Sequence, residues 1–143
     1  MKKALIVFGG WPGHEPEMCS KIISGWLEKD GYEVRVEYQT SAFAEDYVLE
    51  MDLIIPIITM AFHFSPTGDI KRNEVNNLVK AVMNGAGLAG HHGGMCDAFR
   101  QSIDWQFLIG GQWVSHPNGI TDYRVNIKNT NDPITDGIKD FDY

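Results

Sequence analysis

The sequence predicts a three-layer α/β protein built around a parallel sheet, and three features of its pattern support this class. Short apolar runs alternate with longer segments of helical periodicity, as in repeated β-α units. Glycines stand where the helices should end. A chain of 143 residues with 43% apolar composition is suited to one domain with a single core.

The first β-α unit is predicted over residues 3–29. Residues 3–9 are apolar, which is typical of a strand covered on both faces. After a loop, Pro16 opens a helix that we expect to run to Lys29, with Gly31 as its left-handed C-terminal cap. Residues 32–39 alternate between apolar and polar side chains, which indicates a strand near the edge of the sheet.

Two further β-α units are expected to complete the parallel sheet. They comprise a strand over 51–58 with a helix over 70–84, and a short strand over 87–90 with a helix over 95–101. Strands joined through helices imply right-handed parallel crossovers. Beyond Ser102 we predict a short helix over 105–109 capped by Asp104, a strand over 123–128, and no closing element at residues 140–143.

Charge and composition exclude several kinds of partner. The chain carries 12 basic and 19 acidic residues, a net charge of −7, and no basic cluster that would bind nucleic acid. No apolar stretch approaches the roughly 20 residues of a membrane span, and the first one is too short for a signal peptide. We therefore expect a cytoplasmic protein without membrane partners. Its two cysteines should be reduced, with Cys96 buried.

The histidines are the main functional signal, because all five fall in predicted loops. They are His14, His63, His91, His92 and His116. The carboxyl ends of parallel strands share one rim of the sheet, so these loops should converge. Imidazole is a common ligand of transition metals, and we predict a divalent metal, zinc or manganese, held by His14, His92 and His116 within about 5 Å of one another. The alternative is that each histidine caps a helix or bonds the backbone separately.

Residues 90–94 have the form Gly-x-His-x-Gly, which resembles the sharp elbow that presents one side chain between a strand and a helix. We predict that His92 is catalytic and that His63 or Glu17 moves a proton. The alternatives are a glycine-rich turn without a reactive residue, and a Glu17 that only stabilises a helix N-terminus.

Substrate contacts are predicted for Trp11, His91, Arg100 and Gln112. Four aromatic residues share the loops of the histidines, where they could stack on a sugar ring or fill the core, and packing is the default expectation. They are Trp11, Phe62, Phe64 and Trp113.

Three segments together resemble one known family. They are GGWPGH at 9–14, GHHGGMCDAFR at 90–100 and GGQWVSHP at 110–117. The chain is similar to the ThuA-like, or trehalose-utilisation, family of the class I glutamine amidotransferase-like superfamily. This resemblance implies a flavodoxin-like core. His92 stands where that superfamily has its nucleophilic cysteine, so glutaminase activity is disfavoured.

The resemblance also implies a function in carbohydrate metabolism. We expect metal-assisted isomerisation or hydrolysis of a sugar or keto-sugar, so the partner is a small carbohydrate. The sequence also allows a homodimer. The alternative is a non-catalytic carbohydrate-binding or structural module of the same fold. Because the family's domain usually continues further, we expect residues 1–143 to form one domain that lacks its C-terminal part.

Overall fold

The computed structural model describes residues 1–65, 68–116 and 119–143. These residues form two compact units, Met1–Trp113 and Val114–Tyr143. The predicted strands and helices of the β-α repeats all lie in the first unit. Each unit is described separately below.

The first unit contains a four-stranded parallel sheet in the order β2-β1-β3-β4. Its strands are β1 (Lys3–Gly10), β2 (Glu33–Tyr38), β3 (Leu53–Thr59) and β4 (Gly87–Leu88). The sequence correctly predicts the parallel α/β arrangement, including the outer position of β2. It is the flavodoxin-like arrangement, in which a ligand site is expected at the carboxyl ends of the strands.

Five α-helices are described in the first unit, together with short 3₁₀ helices at Pro12–His14, Thr40–Ala44 and Asp46–Glu50. The α-helices are α1 (Pro16–Lys29), α2 (Ala61–Phe64), α3 (Arg72–Met83), α4 (Gly93–Cys96) and α5 (Ile103–Ile109). None of the helices in the described ranges is both long and apolar enough to cross a membrane.

Helices cover both faces of the sheet because side chains of a strand alternate between its faces. Ile6, Ile55 and Ile57 pack with Ile23 and Leu27 of α1. The other face forms the larger core, which contains side chains of β1, β3, α3 and α5. Its members include Leu5, Val7, Ile54, Ile58, Val75, Leu78, Phe99 and Trp105. These two cores give the predicted three layers.

The helix predicted over 95–101 is wrong in its position and length, since α4 spans only Gly93–Cys96. The carbonyl of Asp97 accepts a hydrogen bond from the amide of Met60 at 2.9 Å, and that of Ala98 accepts one from Ala61 at 3.0 Å. These carbonyls bond the start of α2 instead of continuing the helix. Cys96 at its end is exposed, so its predicted burial is also wrong.

The N-cap of α5 differs from the sequence prediction. Ser102, and not Asp104, precedes the helix, and its hydroxyl accepts the backbone amide of Trp105 at 3.3 Å. Asp104 lies inside the first turn. The helix therefore begins two residues earlier than predicted, which brings Trp105 into the core with 1% exposure.

The second unit contains an antiparallel pair of short strands, β5 (Arg124–Val125) and β6 (Phe141–Asp142). The backbones of Tyr123 and Tyr143 extend this pairing with hydrogen bonds of 3.0 and 2.9 Å. The predicted strand over 123–128 is thus shorter than expected. Residues 140–143 contain the short strand β6, which the sequence did not predict, because its partner β5 is distant in sequence.

Candidate functional site

A pocket of about 200 Å³ lies at the carboxyl ends of the parallel strands. Its lining combines two loops with the end of β3 and the start of α4. The lining residues are His14, Pro16, Ile57, Thr59, His91, His92 and Gly94. Strand order explains this convergence, because β3 lies between β1, which precedes His14, and β4, which precedes the two other histidines.

His14 and His92 are in direct contact inside this pocket. Their ring centroids lie 4.3 Å apart and their planes meet at 90°. Nδ1 of His14 forms a hydrogen bond of 3.0 Å with the hydroxyl of Thr59. The structure therefore brings together two of the three histidines that the sequence nominates as metal ligands.

The chain makes a sharp elbow at His92, whose backbone has φ 54° and ψ −143°. Such angles are rarely adopted by residues other than glycine. The two glycines that follow allow the elbow to lie against β3. A Cβ on Gly93 would come within 2.7 Å of the Thr59 methyl, and one on Gly94 within 3.2 Å of the Ile57 Cα.

Positive φ angles recur at this rim of the sheet. Within the described ranges, each of the four parallel strands is followed by a non-glycine residue of positive φ. These residues are Glu15, Gln39, Met60 and His92. Strained backbone of this kind persists where the surrounding structure holds it, and it clusters at functional sites. The observation supports the carboxyl rim as the site.

An exposed aromatic group, defined as Trp11, Phe62 and Phe64, adjoins the pocket. Trp11 lies 4.7 Å from His14 and 6.4 Å from Phe64 between ring centroids. A Cβ on Gly13 would come within 2.5 Å of the Trp11 ring, so a glycine is needed for the indole to lie there. Trp11 is nevertheless 38% exposed, and both phenylalanines are exposed. Packing in the core is thus the wrong expectation for these three residues.

The two predicted proton-transfer partners of His92 are outside the pocket lining, Glu17 on α1 and His63 beside the rings of Phe62 and Phe64. Glu17 forms an ion pair of 2.7 Å with Lys21, and both side chains are 66% exposed. The hydrogen bond from Lys21 lowers the pKa of Glu17, which makes the carboxylate a weaker base. His63 is exposed on α2, with its ring 4.9 Å from that of Phe62. Among the described residues, the pocket lining includes neither.

Of the predicted substrate contacts, His91 lines the pocket and Trp11 lies next to His14, while Arg100 has another position. The Arg100 guanidinium forms two hydrogen bonds with the carboxylate of Asp97, which is 3% exposed, and this pairing raises the pKa of Arg100. Its carbonyl also accepts a 2.7 Å bond from Gln106. Arg100 thus stabilises the chain between α4 and α5. Gln112 is exposed near the end of the first unit.

His116 belongs to the second unit, where it is exposed. Its participation in a shared metal site stays a prediction. Pro117, the last residue of the motif over 110–117, lies outside the described residues. Across residues 1–65, 68–116 and 119–143, no group of three histidine, cysteine, aspartate or glutamate side chains is arranged to hold a metal ion.

Sequence reasoning missed Thr59, the last residue of β3, which is 4% exposed. The available signal was a single hydroxyl at the end of an otherwise apolar strand, at the rim that carries the histidines. Sequence reasoning also missed Asp97, because Arg100, which pairs with it, was predicted to contact the substrate.

The fold and the site define a flavodoxin-like α/β protein whose elbow after the fourth strand presents a histidine. The family described as ThuA, trehalose utilisation, matches residues 3–143, and the chain belongs to this family. That membership is consistent with the class I glutamine amidotransferase-like superfamily and supports a role in trehalose utilisation. No curated protein and no solved structure matches the chain.

Proposed function

We propose that this protein isomerises a sugar or keto-sugar ring in the pocket, with His14 and His92 as its proton-transfer pair. The observation that carries the proposal is their contact, at 4.3 Å between ring centroids, in a pocket beside exposed aromatic side chains. Imidazole exchanges protons near neutral pH, so one ring can accept a proton while the other donates one.

Isomerisation needs only these two groups. One imidazole removes a proton from the carbon next to the carbonyl, and the other donates a proton to the carbonyl oxygen, which gives an enediol. The enediol then gives up a hydroxyl proton and accepts a proton at the neighbouring carbon, so the carbonyl moves by one position. The exchange balances without another reactant. Hydrolysis is the second reaction that the same pair could support, with one imidazole activating water.

The size of the pocket favours one sugar ring. Its volume of about 200 Å³ is below the range of roughly 300–1,000 Å³ that is typical of small-molecule sites. Trp11 lies beside His14 at the edge of the pocket, where its exposed indole could cover the apolar face of a ring.

A divalent metal, zinc or manganese, belongs to a second form of the proposal, in which His14 and His92 would bind the ion and would not transfer protons. The donor set of the first unit fits in part, because His14 and His92 would supply two imidazoles. A bound ion would polarise the sugar carbonyl. Glutamine hydrolysis is not proposed, since the elbow residue is His92 and the nearby Cys96 is exposed at the far end of α4.

The alternative function is carbohydrate binding without catalysis. It is favoured by the aromatic group, because exposed Trp11 and Phe64 side chains would contribute to sugar binding whether or not a bond is changed. In that reading the histidines act as hydrogen-bonding groups.

Deuterium exchange separates the two functions. Protein purified without a histidine tag is incubated in D₂O with a keto derivative of glucose, and proton NMR follows deuterium uptake next to the carbonyl. Glucose release from trehalose is measured in parallel, and elemental analysis determines the metal content. We expect uptake with the wild type and its loss in His14→Ala and His92→Ala. His63→Ala is the matched control, because its ring is outside the pocket.

Two other outcomes would decide against the catalytic proposal. Sugar binding by titration calorimetry without deuterium uptake or glucose release would favour the binding module. Exchange that is lost in His63→Ala but retained in His14→Ala would place the reaction outside the pocket.

A further inference from the structure

We propose that Thr59 is a positioning residue whose hydroxyl accepts the Nδ1 proton of His14 and thereby presents the Nε2 lone pair of that histidine to the ligand. This inference rests on the proposed function of the pocket. It adds a role for a residue that lines the pocket but lies outside the segments that mark the family.

The first observation is the hydrogen bond itself. Oγ1 of Thr59 lies 3.0 Å from Nδ1 of His14, and Thr59 is 4% exposed. The two residues come from different elements, the end of β3 and the loop after β1. A buried hydroxyl at this distance fixes the rotation of the ring, since turning the imidazole away would leave the hydroxyl without this bond.

The second observation is that Thr59 connects both histidine-bearing segments. Its carbonyl accepts a hydrogen bond of 2.9 Å from the amide of Trp11, in the loop that carries His14. Its methyl occupies the space that a Cβ on Gly93 would need, directly after His92. One residue therefore sets the position of the His14 loop and of the elbow together.

The third observation concerns stiffness. Threonine is branched at Cβ, so its χ1 angle has few allowed values and its hydroxyl and methyl directions are linked. With the methyl held against Gly93, the hydroxyl can point in only one direction, and that direction is toward His14. The contact is therefore preorganised, as the groups that orient catalytic or metal-binding imidazoles generally are.

The chemical consequence follows from the imidazole ring. When Nδ1 carries the proton and donates it to an oxygen, the lone pair is on Nε2, which can then accept a proton or bind a metal. In the opposite tautomer Nε2 carries a proton and can do neither. A threonine hydroxyl can donate as well as accept, so the contact fixes the orientation of the ring, and the proposal adds that Thr59 is the acceptor and thereby holds the reactive tautomer of His14.

The test compares Thr59→Val with Thr59→Ser. Valine keeps the shape and loses the acceptor, whereas serine keeps the acceptor and loses the methyl. Two-bond ¹⁵N–¹H NMR spectra near pH 8, where free imidazole is neutral, report which ring nitrogen of each histidine is protonated. The His14 signals are assigned by their loss in His14→Ala.

We expect protonated Nδ1 for His14 in the wild type and in Thr59→Ser, and a mixture of tautomers in Thr59→Val. Deuterium uptake by the keto-sugar should fall by roughly tenfold in Thr59→Val, within the range seen when groups that orient a ligand are removed. Near-wild-type melting of both variants would show that the fold is retained. If Thr59→Val melts far below the wild type, the comparison of Thr59→Ser with the wild type decides instead. Retained protonation of Nδ1 of His14 in Thr59→Ser then supports the proposal.

An unchanged tautomer in Thr59→Val, or a wild type with the proton on Nε2, would overturn the positioning role. Failure of the proposed function would give a different result. The wild type would then take up no deuterium, although the effect of Thr59 on the His14 tautomer could still be observed.

Discussion

His14 and His92 meet edge to face at the carboxyl ends of the sheet, with ring centroids 4.3 Å apart, and β3 lies between the strands that precede them. The backbone of His92 holds this position at a φ of 54°, in a conformation that favours glycine. The site thus combines a close imidazole pair with local backbone strain, and both can be tested separately.

The strain at His92 predicts that His92→Gly is more stable than His92→Ala. Glycine relieves a cost of about 1–3 kcal/mol and loses about 0.4–1 kcal/mol through the greater freedom of the unfolded chain. We expect a net difference of about 1 kcal/mol in the free energy of unfolding, measured by urea denaturation. Both variants should lose deuterium exchange. A His92→Gly protein less stable than His92→Ala would contradict the strained elbow.

The aromatic group predicts that Trp11→Ala weakens sugar binding. Loss of one stacking contact should cost about 1 kcal/mol, or roughly a fivefold increase in Kd, measured by titration calorimetry with glucose and trehalose. Phe107→Ala is the control, since Phe107 is an aromatic side chain that is 82% exposed on α5 and does not line the histidine pocket. Equal affinities of Trp11→Ala and the wild type would show that the indole does not contact the sugar.

The N-cap of α5 predicts unequal effects of two neighbouring substitutions. Ser102→Ala should lower the free energy of unfolding by about 1 kcal/mol, because the amide of Trp105 loses its hydroxyl acceptor. Asp104→Ala should have the smaller effect, since Asp104 only adds a charge to the first turn. Chemical denaturation of both variants measures the difference. A larger loss of stability in Asp104→Ala than in Ser102→Ala would mean that Asp104 is the N-cap, as the sequence predicted.

Asp69 predicts a specific pH dependence of stability. Burial raises its pKa above the ordinary value of 3.8, although its carboxylate accepts the amides of Ile70 and Gln101. As pH rises from about 3.8, the unfolded chain loses this proton first, so the folded state binds more protons and becomes less stable. The stabilising contribution of the protonated Asp69 side chain to the free energy of unfolding is present at low pH and is lost as pH rises through its folded-state pKa.

Asp69→Asn should remove this dependence while it keeps one acceptor oxygen. The stability of the wild type relative to Asp69→Asn should therefore fall as pH rises from about 3.8 to neutral, measured by urea denaturation at several pH values. A relative stability that rises with pH would mean that the two backbone hydrogen bonds outweigh burial.

Local signals in the sequence determined most of the elements of the sheet. The helix at Pro16–Lys29 was predicted with its observed limits, because proline, one apolar face and a terminal glycine all mark it locally. The elbow at His92 was also recognisable, since adjacent glycines are required wherever a turn lies directly against a strand. Membership of the ThuA family could be inferred from the same segments.

The tertiary structure decided the contacts of the site. Thr59 became recognisable only once β3 was placed between the two histidine-bearing segments. Arg100 is predicted as a substrate contact, and its pairing with Asp97, three residues away, became recognisable only once the fold buried that carboxylate. The reason is physical: periodicity and capping depend on residues a few positions apart, whereas burial, ring contacts and hydrogen bonds between separate elements depend on groups that only folding brings together.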